Sequence, residues 1–294
     1  MQAQLLRRPG PVADRPLNLV EIADPVPGPG ELLVEVAACG VCRTDLQLCE
    51  GDLPFHLNPV IPGHQAVGRV IRLGDGVEGW SIGDRAGVGW LGGVCRDCSF
   101  CRGGRENLCE GAEFTGWDRN GGFATKMTAR ADYLLAVPPE PSDLDVAPLL
   151  CGGVIGYRAL RLSGIEPGAR LGLYGFGASA LLAIQVARHW GCEVFVVTRS
   201  AAERSRALEM GAVWAGDYDQ SPPVALQAAV TFAPVGSVVV AALSALERGG
   251  AVAVNAIHLN EIPAFPYRKL WGERQIRSVA NYTRNDAVEF LNLA

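Results

Sequence analysis

The stretch RLGLYGFGASA, residues 170–180, decides the fold of the second half of the chain. Its first five residues are typical of a buried strand, and a G-x-G-x-x-A turn that opens a helix follows them. The turn consists of Gly175, Phe176, Gly177, Ala178, Ser179 and Ala180. In such a turn the first glycine allows a sharp bend, the second lets the backbone approach a pyrophosphate, and the small third residue lets helix and strand pack closely. A glycine-rich loop alone is often only a turn, but this strand–turn–helix context favours a dinucleotide-binding site.

Strands and helices alternate around this turn from about residue 152 onward. The predicted strands are Arg170–Phe176, Glu193–Thr198, Ala228–Ala233 and Ala251–Ile257. The predicted helices are Ala178–Trp190, Ala201–Met210 and Ser237–Leu246. The valines of the last segment would also allow a strand, but its length and the stop at Arg248-Gly249-Gly250 favour a helix. This alternation indicates parallel βαβ units. We therefore predict an α/β fold, with a Rossmann-type doubly wound parallel sheet over residues 153–283.

The end of the second predicted strand bears on the choice of coenzyme. An enzyme that uses NAD carries Asp or Glu there, and this acid accepts a hydrogen bond from the ribose 2′-hydroxyl. Here the strand ends in Thr198 and Arg199, so the acid is absent and a guanidinium is present. Because this pair suits a 2′-phosphate, we predict that NADP(H) is preferred over NAD(H). The alternative is that Arg199 is a solvated residue that stacks on adenine, with NAD still used.

The first 150 residues have a different pattern, rich in short strand candidates. Glu31–Ala37 and Gly68–Leu73 alternate or run apolar, and Pro/Gly turns such as PVPGPG separate the strand candidates. This pattern is typical of an irregular barrel or sandwich whose loops carry function.

Four cysteines lie close together in the segment GVCRDCSFCRGGRENLC, residues 93–109. They are Cys95, Cys98, Cys101 and Cys109. Four thiolates at this density are the ligand set of a closed tetrahedral zinc site, which contributes folding energy and leaves no position for chemistry. We predict a structural zinc lobe here.

Three separated residues suggest a second, catalytic zinc site: Cys42, His64 and Cys151. Two thiolates and one imidazole leave a fourth position open for water or substrate. Each residue also has a plainer interpretation, since the two cysteines could be small core residues and His64 could close the turn after Pro62-Gly63. Their combination with the four-cysteine lobe and the glycine loop favours the metal site.

The chain resembles the zinc-dependent alcohol dehydrogenases of the medium-chain dehydrogenase/reductase superfamily. CGVCRTD (39–45), IPGHQAVGRV (61–70), the cysteine lobe, APLLCGG (147–153) and YGFGASA (174–180) follow the order and approximate spacing of that family. The resemblance covers essentially the whole chain. It implies a GroES-like, β-rich catalytic domain over residues 1–152, with residues 284–294 beginning its C-terminal return, beside the Rossmann domain.

The resemblance also assigns roles to neighbours of the first ligand. Thr44 corresponds to the hydroxyl residue that takes the proton of the alcohol, and Arg43 to a basic residue near the pyrophosphate. Asp45 corresponds to a carboxylate that orients the ligand histidine, although it could instead be a solvated loop residue. Trp90 corresponds to an aromatic residue on the wall of the substrate cleft and could equally belong to the core.

Three features depart from the family pattern. Gln65 stands where many members have Glu, so ligand exchange at the zinc is expected to differ. Gln47 stands where many have a proton-relaying His, and an amide cannot relay protons by titration. The sequence also stops within a helix-like segment, NDAVEFLNLA (285–294), before the family's usual end.

Bulk composition excludes several other classes. The formal net charge of −5 and the lack of a Lys/Arg block argue against nucleic-acid binding, and no apolar run is long enough for a membrane span. The N-terminus resembles no signal peptide, and nine cysteines without a paired framework favour a cytoplasmic metalloprotein.

We therefore predict a zinc alcohol dehydrogenase with two Zn²⁺ per chain. It would interconvert alcohols with aldehydes or ketones by hydride transfer to NAD(P), as a homo-oligomer acting on small molecules. The open alternatives are a polyol or cinnamyl-type reductase with the same apparatus and a non-catalytic, zinc- and nucleotide-binding remnant.

Overall fold

The computed structural model describes residues 1–259 and 261–294. The strands are β1 (Gln2–Leu6), β2 (Leu17–Glu21), β3 (Glu31–Cys39), β4 (Ala66–Leu73), β5 (Arg85–Val88), β6 (Leu91–Gly93), β7 (Glu113–Phe114), β8 (Lys126–Arg130), β9 (Leu135–Ala136), β10 (Arg170–Tyr174), β11 (Glu193–Val197), β12 (Trp214–Gly216), β13 (Leu226–Thr231), β14 (Leu246–Val254) and β15 (Gln275–Ser278). The helices are α1 (Arg43–Glu50), α2 (Ser99–Arg102), α3 (Asp143–Val146), α4 (Gly152–Ser163), α5 (Ala178–His189), α6 (Ala201–Glu209), α7 (Gly236–Ala245) and α8 (Arg284–Leu293). Short 3-10 helices span Val12–Asp14, Glu106–Leu108, Ala147–Leu150 and Tyr267–Lys269.

The described chain divides into two units, of which the first comprises Met1–Cys151 and Thr283–Ala294. Its main sheet has five antiparallel strands in the order β8-β3-β4-β5-β9. Leu32 and Val34 of β3 are fully buried against Val70 of β4, where the apolar residues of the sheet form a core. Two further strand pairs, β1 with β2 and β6 with β7, complete the β-rich unit that the sequence predicts.

Strand β3 positions the first candidate ligand. It runs two residues beyond the predicted end at Ala37, because Ala38 and Cys39 still pair with Val67 and Ala66 of β4. The chain then turns directly into α1, whose N-cap is Cys42. The pairing of β3 with β4 therefore fixes the position of Cys42, three residues after the strand ends.

The second unit, Gly152–Tyr282, contains a parallel sheet of six strands in the order β12-β11-β10-β13-β14-β15. Strands β11 and β12 follow β10 toward one edge of the sheet, and the chain then crosses over to place β13, β14 and β15 toward the other edge. The strand order therefore reverses between β10 and β13. Ligands of open α/β sheets bind at the carboxyl ends of the strands at such a reversal. The Gly175–Ala180 turn lies there, immediately after β10. The predicted doubly wound Rossmann sheet is confirmed.

Strand β14 differs most from its predicted position in this sheet. The sequence predicts a strand over Ala251–Ile257, but β14 begins at Leu246 and ends at Val254. Leu246 is only 2 % exposed and pairs with Leu226 of β13, whereas Ile257 is 79 % exposed. Burial of Leu246 thus extends the strand back through the glycine pair that the sequence suggests as a stop.

Helix α8 is anchored by capping contacts. Thr283 accepts a hydrogen bond from the backbone N–H of Asp286, and the Asp286 carboxylate accepts one from the N–H of Thr283 at 2.8 Å. The N–H of Arg284 donates to Glu106 of the cysteine segment at 2.7 Å.

Among the residues that the structure describes, no helix combines the length and the apolar composition needed to cross a bilayer.

Candidate metal centre

The three predicted catalytic ligands meet at one point of the first unit. The ligand atoms of Cys42, His64 and Cys151 all lie within 4.8 Å of one another. Cys42 Sγ is 3.1 Å from His64 Nε2, and His64 is almost fully buried. Cys151 follows the 3-10 helix Ala147–Leu150. Three distant segments of the chain therefore bring two thiols and one imidazole together.

The turn that presents His64 depends on Gly63. This residue has a φ of +98°, in the left-handed region that favours glycine. A Cβ at this position would lie 2.5 Å from Cδ1 of Phe123 and 2.8 Å from its backbone nitrogen. Any other residue would therefore displace the neighbouring chain as well as strain the backbone.

Asp45 holds this turn and the histidine together. Its Oδ1 accepts hydrogen bonds from Gly63 N at 3.2 Å and lies 3.1 Å from His64 Nδ1, and its Oδ2 accepts from Cys42 N at 2.8 Å. At 3 % exposure Asp45 is not the solvated loop carboxylate that the alternative interpretation describes. Because Nδ1 is engaged with Asp45, Nε2 is the ring nitrogen that faces the two thiols and could bind a metal.

The electrostatics of the group favour a cation. The hydrogen bond from Cys151 and the one from His64 lower the pKa of Cys42 to about 4, against the opposing effect of burial. Burial would lower the pKa of His64, but Asp45 and Cys42 outweigh it and raise that pKa to about 10. The donors Cys151 and His64 thus stabilise the Cys42 thiolate, and the negative charge of that thiolate and of Asp45 stabilises the protonated form of His64.

The donor set fits zinc. A thiolate, a second thiol that is deprotonated by the ion and a neutral imidazole are ligands of catalytic Zn²⁺, which keeps a fourth position for water or substrate. Thr44 lies beside this set, and its N–H donates to Cys42 Sγ at 3.3 Å. Arg43 begins α1 and is exposed.

Aromatic rings extend from the histidine in a continuous series, which we call the aromatic wall: Trp90, Phe114, Trp117 and His56. The Trp90 ring meets His64 edge-on at 4.8 Å between centroids and stacks with Phe114 at 5.1 Å. Trp117 stacks with Trp90 at 5.8 Å and with His56 at 4.0 Å. Sequence reasoning considered only Trp90, because the other members lie more than twenty residues away from it or in irregular loops.

The four lobe cysteines also converge. Three of their Sγ pairs lie 3.4 Å, 3.5 Å and 3.8 Å apart, for Cys109 with Cys95, Cys98 with Cys101, and Cys95 with Cys101 respectively. Thiolates around a zinc ion at about 2.3 Å would be separated by about 3.8 Å along the edges of a tetrahedron. The lobe therefore fits a closed zinc site with four cysteine ligands.

The glycine turn of the second unit fits a pyrophosphate. Gly175 has a φ of +89°, and its N–H donates to Val197 O at 2.8 Å. Gly177 is the N-cap of the twelve-residue helix α5, and no side chain caps the helix there. A Cβ on Gly177 would meet no atom within 4 Å. The exposed Gly177 and Ala178 thus leave the N–H groups of the first helical turn available to phosphate oxygens.

The remaining turn residues and the predicted 2′-phosphate residues lie at this edge of the sheet. Phe176 and Ala180 are buried beneath the turn, and Ser179 is half-buried. Thr198 follows β11 and is 3 % exposed, while Arg199 is exposed. The structure adds a residue that sequence reasoning missed, since Glu203 of α6 accepts a hydrogen bond from the Thr198 hydroxyl. The spacing Ser200-x-x-Glu203, which is typical of a helix N-terminus, is the sequence pattern that could have placed Glu203 close to Thr198.

Comparisons with known proteins agree with this geometry. Residues 28–139 match the alcohol dehydrogenase GroES-like domain, and residues 180–294 match the zinc-binding dehydrogenase family. A probable alcohol dehydrogenase, AdhA, of Mycobacterium tuberculosis is 50 % identical over 100 % of this chain and 87 % of its own length. This chain belongs to the zinc-binding alcohol dehydrogenases. The dehydrogenase is thus an oxidoreductase of the medium-chain dehydrogenase/reductase superfamily, with the zinc and nicotinamide coenzyme of the zinc-binding dehydrogenases as its cofactors.

Solved structures extend the comparison of this dehydrogenase. A cobalt- and zinc-bound thermostable alcohol dehydrogenase from Pyrobaculum aerophilum has a TM-score of 0.88 at 26 % identity, over 100 % of this chain and 88 % of that one. A putative zinc-binding dehydrogenase from Sinorhizobium meliloti, bound to NADP, has a TM-score of 0.87 at 27 % identity, over 99 % and 88 % of the two chains.

Both glutamines that depart from the family pattern lie close in sequence to ligand residues. Gln65 follows the ligand His64 and is 4 % exposed, and its Nε2 finds no hydrogen-bond partner among the residues that the structure describes. Gln47 lies on α1, and its carbonyl accepts from the N–H groups of Gly51 and Asp52.

Proposed function

We propose that this dehydrogenase interconverts small alcohols with aldehydes or ketones at the site formed by Cys42, His64 and Cys151. The observation that carries the proposal is the convergence of these ligand atoms within 4.8 Å, with the donor set of a catalytic zinc site. When bound, zinc supplies the Lewis acidity that lowers the pKa of an alcohol hydroxyl, and the nicotinamide supplies the hydride acceptor. A second zinc would be held by the four lobe cysteines.

Residues around the ligands prepare the site for this reaction. Asp45 keeps the proton of His64 on Nδ1, so that Nε2 is free to bind the metal. In line with the family resemblance, we propose that the Thr44 hydroxyl accepts the proton of the alcohol and that Arg43 contacts the pyrophosphate. Because Gln47 has no titratable group, we propose that protons leave from Thr44 through ribose hydroxyls and water.

The aromatic wall favours one substrate class. Trp90, Phe114 and Trp117 offer broad apolar faces beside His64, and aromatic pairs add about 0.5–1.5 kcal/mol to the gain from burial. A polyol would instead need several polar partners for its hydroxyls. We therefore propose aryl or cinnamyl-type primary alcohols as substrates, in preference to polyols. A Trp117→Leu variant should raise KM for benzyl alcohol more than for ethanol, and equal changes in both KM values would refute the assignment.

The preference for NADP(H) over NAD(H) is proposed from Thr198 and Arg199. The absence of an acid directly after β11 and the free guanidinium of Arg199 support it, as does the structural relative bound to NADP. Replacing Thr198 with Asp and Arg199 with Ile should move the ratio of kcat/KM values toward NAD. An unchanged ratio would refute the assignment.

Assembly and location are proposed from the family and from the state of the cysteines. The family resemblance supports a homo-oligomer. All nine cysteines are free thiols and seven of them lie in the two clusters, which supports a reducing, cytoplasmic location.

A metal-and-turnover experiment tests the proposed function. The purified chain should contain two zinc ions and reduce benzaldehyde with NADPH. Cys42→Ala should retain one zinc ion and lose turnover, because it removes a ligand of the substrate-binding metal. Cys192→Ala is the matched control, since its buried thiol lies outside both clusters, and it should keep both ions and its activity. Turnover retained by Cys42→Ala would refute the mechanism.

A further inference from the structure

The hydrogen bond between Thr198 and Glu203 changes the chemistry of the predicted 2′-phosphate corner. Glu203 is the third residue of α6, whose N-cap is Ser200, and its own N–H donates to Ser200 Oγ at 3.2 Å. Its carboxylate accepts the hydrogen bond of the Thr198 hydroxyl. The first residue of the phosphate turn, Gly175, is bonded to Val197 directly beside this pair. A carboxylate therefore lies beside the end of β11, although the residues that directly follow this strand include no acid.

The proton count at Thr198 decides what this corner can recognise. A hydroxyl has one proton and two lone pairs, and the proton of Thr198 is directed at Glu203. Toward a ligand, Thr198 and Glu203 thus present acceptors. A ribose 2′-hydroxyl can donate to them, whereas the oxygens of a 2′-phosphate are themselves acceptors and carry negative charge.

Two nearby arginines offset the negative charge and the acceptors at this corner only in part. Arg204 is already engaged, because its Nη1 donates to Thr198 O at 2.7 Å, Arg199 O at 2.9 Å and Asp217 Oδ2 at 3.1 Å. Arg199 is exposed, and within the described ranges no carboxylate lies at ion-pair distance from its guanidinium. Arg199 is therefore the cation that remains to attract a phosphate, and Glu203 opposes it.

We propose that Glu203 is a specificity-determining residue that weakens binding of the 2′-phosphate and favours the 2′-hydroxyl of NAD(H), acting against Arg199. This inference rests on the proposed nicotinamide-binding function. The preference between the two coenzymes would then depend on two residues of opposite charge. Arg199 follows β11, and Glu203 lies in the first turn of α6. Removing the acid should expose the full preference of Arg199 for NADP(H).

Binding of two adenosine ligands tests the inference without turnover. Calorimetric Kd values for 2′,5′-ADP and 5′-AMP, which differ only in the 2′-phosphate, would be measured at fixed ionic strength. Glu203→Gln removes the charge but keeps an acceptor for Thr198, and it should raise the affinity for 2′,5′-ADP relative to 5′-AMP about tenfold. Glu203→Lys also releases the Thr198 proton and should increase that ratio further. The same order should appear in kcat/KM for NADP⁺ over NAD⁺.

Glu209→Gln is the matched control, because it makes the same charge change at the exposed far end of α6. It should change the ratio by less than about twofold, since an exposed charge about 9 Å further along the helix, roughly one Debye length, is largely screened. Unchanged ratios in both Glu203 variants, or an equal change in Glu209→Gln, would overturn the role of Glu203 while leaving the dinucleotide site intact. Failure of the wild-type chain to bind either ligand would overturn the dinucleotide site and this inference together.

Discussion

Replacing Asp45 with asparagine tests how the metal ligands are positioned, because the side chain keeps its shape and loses its charge. The carboxylate accepts three contacts, from Cys42 N, Gly63 N and His64 Nδ1. An asparagine has one oxygen for these donors. If its oxygen serves His64 and Gly63, its NH2 group opposes the N–H of Cys42. If it turns over, its NH2 group faces His64 Nδ1 and favours the tautomer with the proton on Nε2.

The expected magnitude follows from these two orientations. A buried donor left without a partner costs about 1–3 kcal/mol of folding free energy. Asp45 is 3 % exposed, so water cannot easily replace the lost acceptor. A proton on Nε2 would compete directly with the metal, and loss of such an orienting partner lowers metal affinity or activity by about 10–100-fold. We expect Asp45→Asn to show both losses.

The assay combines urea unfolding with zinc competition by a chromogenic chelator and with kcat/KM for an alcohol. Asp52→Asn serves as the control, because Asp52 is an exposed carboxylate just beyond α1. The control should differ from wild type by less than about 0.5 kcal/mol in stability. Wild-type zinc affinity and turnover in Asp45→Asn would refute the inference that this carboxylate orients His64.

Three further predictions concern the lobe, the Rossmann core and buried thiols. Cys98→Ser should lose one zinc ion and lower the melting temperature, with activity reduced only through stability; an unchanged melting temperature would remove the structural role. Tyr174→Phe should leave the free energy of unfolding unchanged or raise it by about 1 kcal/mol, because the buried hydroxyl has no partner among the described residues; a loss above about 1 kcal/mol would contradict this. Burial raises the pKa of Cys39 to about 12 and that of Cys49 to about 11, from 9.0, so the folded state retains protons that the unfolded chain releases. The stabilisation is complete below pH 9 and is lost as the pH rises toward these values, by about 1 kcal/mol per thiol at pH 10. Urea unfolding at pH 8–10.5 should show a shallower decline for Cys49→Ala, and identical slopes would contradict the assignment.

The sequence predicted the four central strands of the parallel sheet, because local pattern defines them, but it did not predict the short edge strands β12 and β15. Phe195 and Val197 of β11, for example, are buried as their apolar run indicates. Strand β14 was placed less accurately, since the pairing of Leu246 with Leu226 is a long-range contact that no local pattern reveals.

The candidate site shows the same division. Cys42, His64 and Cys151 were chosen for their chemistry and motif context, and the structure brings them together. The extended aromatic wall and the Thr198–Glu203 bond were not predicted. Both arise from side chains on separate segments or helical turns, whose meeting depends on loop geometry and side-chain orientation that local residue patterns do not specify.

The two thiol clusters differ in how much chain each must close. The lobe ligands span residues 95–109, fourteen steps along the backbone, whereas Cys42 and Cys151 are 109 steps apart. The entropy of closure grows slowly with length, but the distant pair also requires β3 paired with β4 and the 3-10 helix before Cys151 already formed. During refolding with scarce zinc, the lobe should therefore be metallated first. A half-loaded population would resist heat and yet catalyse nothing, so thermal stability alone is a poor measure of how much functional enzyme a preparation contains.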